Sequence, residues 1–302
     1  MSETALAPSV AGRNFDPDKA AVRRAVDDYL ALAFDRRSDS EVARAARYAV
    51  GGPAHRWRAI AAVAAGRIFR DHALALVLPA ACGVELAHAA SLVLDDLPSM
   101  DDAKVRRGKP CTHHAFPTWA ADMAPVFLVT LAYQISLDNP AVPADRRVKA
   151  ALELSKAGLA MIRGQSHDVL QDQNGNCDEG AWLVECYRLK TSALYGASAM
   201  MGGILCGADD EEAASLYAAG VDLGLSYQFL DDVADVVAGV TEVGKESGMD
   251  EGKRTSVALF GVEGARRRSE AFQAQALTHL ERFGAAADWL RTLVMEASWK
   301  AS

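Results

Sequence analysis

The chain has 302 residues, half of them hydrophobic and 24% charged, with 32 Lys+Arg against 40 Asp+Glu for a net charge of −8. That composition excludes a disordered or low-complexity chain. The acidic balance argues against a nucleic-acid binder, because neutralising phosphates needs a net basic face, so any anion site must be built locally.

Residues 1–15 carry no periodic pattern and read as a flexible N-terminal tail, without the basic-then-apolar order of a signal peptide. From Asp18 to Phe34 the residues Ala21, Val22, Ala25, Val26, Tyr29 and Leu30 recur at helical spacing, which predicts an amphipathic helix. The same pattern predicts helices over 41–49, 57–70, 73–97, 119–137, 144–171, 179–207, 210–236 and 262–297. No sustained period-2 run of β-branched residues appears. Turn signals fall at Gly51-Gly52-Pro53, Arg107-Gly108-Lys109-Pro110, Asp138-Asn139-Pro140, Gln173-Asn174-Gly175-Asn176 and Gly248 to Gly252. Short connections, with no Gly/Ser-rich linker and no fixed-period repeat, predict one all-α domain over 16–302.

The five cysteines Cys82, Cys111, Cys177, Cys186 and Cys206 are widely spaced and form no C-x-x-C pair. Neither a disulfide framework nor a zinc site is expected. The longest uncharged apolar runs, 73–84 and 194–208, fall short of the roughly 20 residues that span a bilayer. They are expected to be buried helices of a cytoplasmic protein with no transmembrane segment.

Two acidic clusters stand out against this apolar background. The first is Asp95-Asp96-Leu-Pro-Ser-Met-Asp101-Asp102 and the second is Asp231-Asp232-Val-Ala-Asp235. Asp231 and Asp235, four apart, share a helix face and can address one ion. Asp101 lies too far round a straight helix to join Asp95, but Pro98 removes a backbone donor and distorts the turn, which lets Asp101 swing back. Carboxylates clustered in greasy helices repel one another unless a cation intervenes. Mg²⁺ shared between carboxylates and substrate phosphates is the usual solution. Arg106, Arg107 and Lys109 follow the first cluster, and Lys245 and Lys253 follow the second. Fixed cations beside carboxylate-held metal suit a diphosphate.

HAASLVLDDLPSMDDAKVRRGKP resembles the first aspartate-rich region of trans-isoprenyl diphosphate synthases, and YQFLDDVAD resembles the second. Gly164-Gln165 with Asp168, Lys190-Thr191-Ser192 and GKESGMDEGKRTSVALFG from Gly244 extend the resemblance over residues 45–265. Within the family the chain is most similar to bacterial geranylgeranyl diphosphate synthases of carotenoid pathways. The resemblance implies a bundle of about ten or more helices around a central apolar cavity, the type I isoprenoid synthase fold. It implies Asp95, Asp101, Asp231 and Asp235 as Mg²⁺ ligands, with Asp96 and Asp232 supporting and three ions per site. Arg106, Lys190, Thr191, Gln228 and Lys245 would contact an allylic diphosphate, Lys253 would close over it, and Arg58, His88 and Arg107 would hold isopentenyl diphosphate. A homodimer is expected from the family and from the frequency of two-fold oligomers.

The early segment departs from the family's G-G-K-R-x-R-P, reading Gly51-Gly-Pro-Ala-His55-Arg56-Trp57-Arg58-Ala59. His55 stands where the lysine is expected, and an ordinary histidine is mostly neutral at pH 7. Arg56 is the alternative cation if the inserted Pro-Ala shifts the register. Product length is expected to follow the side chains below Asp95, namely Ser91 and Ala90, whose small size leaves the tunnel open for a C20 product. The competing reading is a class I terpene cyclase or a prenyltransferase with another acceptor. Against a cyclase, the second motif is an aspartate triplet rather than an N-S-E pattern. A non-catalytic partner subunit is the third reading, and it conflicts with the full set of aspartates.

Overall fold

Ser40 starts the second helix by accepting the Ala43 amide on its hydroxyl (3.2 Å), and Asp178 and Thr255 cap two later helices in the same way. Between such signals the computed structural model, which describes residues 16–36, 39–52, 54–170, 178–241 and 254–296, is almost wholly helical. The helices are α1 (Asp16–Asp35), α2 (Glu41–Val50), α3 (Trp57–Arg67), α4 (Ala73–Asp95), α5 (Thr112–Ala115), α6 (Thr118–Leu137), α7 (Ala144–Leu170), α8 (Glu179–Tyr187), α9 (Ala193–Cys206), α10 (Asp210–Thr241), α11 (Ser256–His279) and α12 (Asp288–Glu296). The expected tail, Cys177, the turns at 173–176 and 248–252, Lys245 and Lys253 lie outside the described residues.

α3 packs on α4 and α9, α10 lies along α9 and α11, and α4 packs on α6. One large core joins α1 to α4, α6, α7, α9, α10 and α12, with Ile60, Leu86, Leu128, Leu194 and Leu216 fully buried. A smaller cluster around Phe229 seats α11 on α10. α4 and α6 are long and apolar enough to cross a bilayer, but most of α4's apolar stretch (61%) and half of that of α6 (50%) are buried inside the fold. Small residues allow the tightest crossing: a Cβ on Gly202 of α9 would lie 1.9 Å from the Ala62 carbonyl of α3.

Several boundaries differ from the periodicity. α3 stops at Arg67 and α4 at Asp95, while α10 runs on to Thr241. The expected helix 179–207 is interrupted by one π-helical turn, Arg188–Ser192, between α8 and α9. The expected helix 262–297 begins instead at Ser256, breaks at Gly261 (φ 67°), and after Gly284 (φ 54°) resumes as α12. A two-residue hairpin, β1 (Val105–Arg106) with β2 (Lys109–Pro110), follows the first acidic cluster. Its turn places both Arg107 (φ 52°) and Gly108 (φ 74°) in left-handed backbone, as a tight hairpin turn requires.

Candidate active site

α4 ends at the first acidic pair, and the chain beyond Pro98 folds back so that the Asp101 amide donates to the Asp95 carbonyl (2.9 Å). Asp101 is thereby brought beside Asp95, and its charge is felt there. Burial and the Asp101 carboxylate raise the Asp95 pKa from its ordinary value, against the pull of Lys190 and Arg106. On α10 Asp231 faces the same cavity as Asp95, and Asp235 opens onto an adjoining one. The two cavities, about 610 and 460 Å³, share Lys190, Thr191 and Gln228 as a dividing ridge.

Asp96 and Asp232 carry protein partners of their own. Both are buried, and both carboxylates are occupied by neighbours. Arg106 grips Asp96 through Nη2 (2.6 Å) and Nε (3.0 Å). Asp232 accepts from Tyr187, Ser256 and Gln228. Asp96 is thus tied to the hairpin and Asp232 to α8 and α11, and Asp232 also lines the smaller cavity beside Asp235.

The π turn puts Lys190 over the site. Its Nζ donates to Asp168 Oδ2 (2.6 Å), and although burial opposes its charge, Asp95, Asp168 and Asp101 outweigh that and hold its pKa above the ordinary lysine value. Thr191 Oγ1 donates to Gln228 Oε1 (2.9 Å). Gln165, three residues before Asp168 on α7, lines the larger cavity, and its Oε1 is buried without a hydrogen-bond partner among the described residues.

At the other end Arg58 and His88 meet: Arg58 Nη1 lies 3.2 Å from His88 Nε2, and its guanidinium stacks over the Tyr195 ring at 4.3 Å. Burial, then Arg58 and Arg107, depress the His88 pKa well below 6.5, so the ring is neutral and accepts from Arg58. Arg107 lines this end too. His55 does not: it is exposed and absent from the walls of both cavities. Arg56 is no substitute, because its buried guanidinium is bound to Asp27 (3.0 Å), Glu85 (3.4 Å) and the Val50 carbonyl (3.1 Å). Lys109 also works structurally, with Nζ donating to the Tyr48 and Gly51 carbonyls while the Tyr48 hydroxyl donates to Pro110 O (2.7 Å).

The apolar wall of the cavity comes from Leu94, Met161 and Ile162, with Ser91 among them. Ala90 points into the core instead, at 2% exposure. Four residues before Asp95 brings Ser91 under it, whereas five residues turn Ala90 about 140° away. Met161, Ile162, Tyr227 and Tyr187 were not singled out from the sequence. Periodicity marks such residues only as apolar stripe, and no spacing rule ties them to the aspartates.

Among the described residues no three acidic, His or Cys side chains converge closely enough to hold a cation by themselves. Mg²⁺ binds through one or two carboxylates plus substrate phosphate oxygens, and Asp95 and Asp231 on one cavity could supply the carboxylates. The raised Asp95 carboxyl and the orphaned Gln165 acceptor favour a cation at this end of the cavity.

Residues 39–289 match the model of the polyprenyl synthetase family. The chain is 34% identical over 269 residues to geranylgeranyl pyrophosphate synthase 10 of Arabidopsis thaliana, covering 87% of this chain and 77% of that one. It is 36% identical over 206 residues to a geranylgeranyl diphosphate synthase of Pantoea ananas, covering 68% and 67%. The fold is similar to the crystal structure of an FPP/GFPP synthase from Zymomonas mobilis, with a TM-score of 0.80, 28% identity and coverage of 93% and 97%. A geranyltransferase from Legionella pneumophila superposes with a TM-score of 0.82 at 26% identity, covering 94% and 96%. With both aspartate clusters facing one cavity, the chain belongs to the polyprenyl synthetase family.

Proposed function

We propose that the chain is a Mg²⁺-dependent trans-prenyltransferase that condenses isopentenyl diphosphate with a shorter allylic diphosphate to give geranylgeranyl diphosphate. One observation carries the reading: a single cavity is acidic at Asp95 and Asp231, cationic at Lys190, Arg58 and Arg107, and apolar at Leu94, Met161 and Ile162. The names of the relatives support a C20 product.

Bound Mg²⁺, three ions in this reading, would supply Lewis-acid stabilisation of the departing diphosphate, with Asp95, Asp101, Asp231 and Asp235 as the ligands. Lys190 and Arg106 neutralise the same leaving group with fixed charges. Arg58 and Arg107 hold the diphosphate of the second substrate, and neutral His88 orients Arg58. The apolar wall keeps water from the allylic cation while the homoallylic double bond attacks it. The proton lost as the new alkene forms goes to the released diphosphate. The cyclase reading has no use for Arg58, His88 and Arg107 at the far end of the cavity.

The partner is a second copy of the chain. Met123 and Val126 on α6, with Leu152 and Leu159 on α7, are large apolar side chains each about half exposed or more, on adjacent helices.

Product analysis tests the function. The protein with Mg²⁺, isopentenyl diphosphate and dimethylallyl, geranyl or farnesyl diphosphate should yield a C20 alcohol after phosphatase treatment. A cyclic hydrocarbon formed without consumption of isopentenyl diphosphate would overturn the reading.

A further inference from the structure

Asp232 lies on α10 between Asp231 and Asp235, and three helices meet at its carboxylate. Tyr187, the last residue of α8, donates its hydroxyl to Oδ2 at 2.5 Å. Ser256, the first residue of α11, gives the same oxygen its backbone N–H (2.8 Å) and its hydroxyl (2.6 Å). Gln228 Nε2 reaches Oδ1 at 3.2 Å, and its carbonyl oxygen receives the Thr191 hydroxyl. Every one of these donors is uncharged. Asp96 differs, because Arg106 neutralises it.

Two consequences follow from the helix itself. At about 100° per residue, Asp231 and Asp235 lie roughly 40° apart around the axis, with Asp232 some 60–100° to one side. Fixing Asp232 therefore fixes the rotation of α10 and so the direction in which the other two carboxylates point. Uncharged donors also hydrogen-bond the carboxylate without neutralising it, so its negative charge sits behind the pair, where it strengthens attraction for a cation. The contact with the first turn of α11 adds the favourable placement of an anion at a helix N-terminus.

We propose that Tyr187 and Ser256 are positioning residues for the second cation-binding pair, acting through Asp232. The proposal rests on the prenyltransferase reading. Neither residue belongs to an aspartate motif, and Tyr187 belongs to no sequence feature tied to the site.

Tyr187→Phe and Ser256→Ala test it, the second keeping the backbone N–H donor. Thermal unfolding is followed while Mg²⁺ is titrated in the presence of inorganic diphosphate, alongside kcat and KM for the allylic substrate. Both variants should still fold, melting a few degrees below the wild type without ligands. Each should need roughly ten-fold more Mg²⁺ for half-maximal stabilisation, the size of effect typical of outer-layer partners of metal ligands. Their kcat should recover at saturating Mg²⁺. Wild-type Mg²⁺ dependence in whichever variants fold, or a kcat that stays low at saturating Mg²⁺, would overturn the positioning role. A wild-type protein that Mg²⁺ and diphosphate do not stabilise would overturn the prenyltransferase reading and this role with it.

Discussion

Arg106 closes a two-pronged contact on Asp96, Nη2 and Nε both reaching Oδ1 at 2.6 and 3.0 Å, while Asp95, one residue earlier, is left facing the cavity. Asp96→Ala removes one member of this pair. Because Arg106 keeps 40% of its side chain exposed, the loss is smaller than for a fully buried pair, about 2 kcal/mol. Urea unfolding of the ligand-free protein reads it directly.

Asp95→Ala has the opposite profile. The carboxyl is strained by burial and by Asp101, so its removal should leave ligand-free stability unchanged or slightly higher. Turnover should nonetheless fall roughly 100- to 1,000-fold, because a ligand of the Mg²⁺ that would stabilise the departing diphosphate is lost. Unfolding curves and steady-state rates on one preparation separate this pattern from that of Asp96→Ala.

His88 sets a pH dependence. Its pKa is lowered on folding from 6.5, so below that value the unfolded chain binds the proton more readily than the folded one. Stability from this group is complete above pH 6.5 and is lost as the pH falls through it toward the lower folded value. The melting temperature of His88→Gln should therefore approach that of the wild type on going from about pH 7.5 to about pH 5. A constant gap between the two curves would show that His88 does not titrate in this way.

Gly164 has no room for a side chain: a Cβ there would meet the Lys190 backbone nitrogen at 2.4 Å and its Cα at 2.8 Å. Gly164→Ala must push α7 away from the π turn, at a cost of about 1–3 kcal/mol for overpacking. Since that turn carries Lys190 and Thr191, kcat/KM for the allylic diphosphate should fall more steeply than stability does. Comparing the rate with the fraction folded at the assay temperature checks it.

Leu159→Glu places a charge on the apolar α7 face, where Leu159 is 63% exposed. With a second copy docked there, the variant should sediment as a monomer under conditions where the wild type sediments as a dimer. An unchanged sedimentation coefficient would remove this face from consideration as the interface.

The helices were legible because a 3.6-residue apolar period and Gly/Pro/Asn turn tokens report local geometry. The period is blind to a π turn, because one added residue at 188–192 changes the phase without changing the composition. It also missed the start of α11, where Thr255 caps a turn that Gly261 then breaks. The same limit governed the site. Spacing identified the two acidic clusters but could not say which protein groups each carboxylate would meet. Asp96 and Asp232 look identical to Asp95 and Asp231 until Arg106, Tyr187 and Ser256 arrive from elsewhere in the chain. The segment at His55 shows a related limit, since His55 is exposed and outside the walls of both cavities. The residue that enters the cavity is Arg58, while Arg56 turns into the core through a left-handed backbone (φ 53°) toward Glu85.

Lys109 fastens the hairpin after the first acidic cluster to the end of α2, and the Tyr48 hydroxyl returns the grip on Pro110. The stretch carrying Arg106 and Arg107 and the stretch leading toward Arg58 are thus riveted into one mechanical part, although more than fifty positions separate them along the chain. A diphosphate held by the hairpin therefore also bears on residues 48–51, through the bonds of Lys109 and Tyr48.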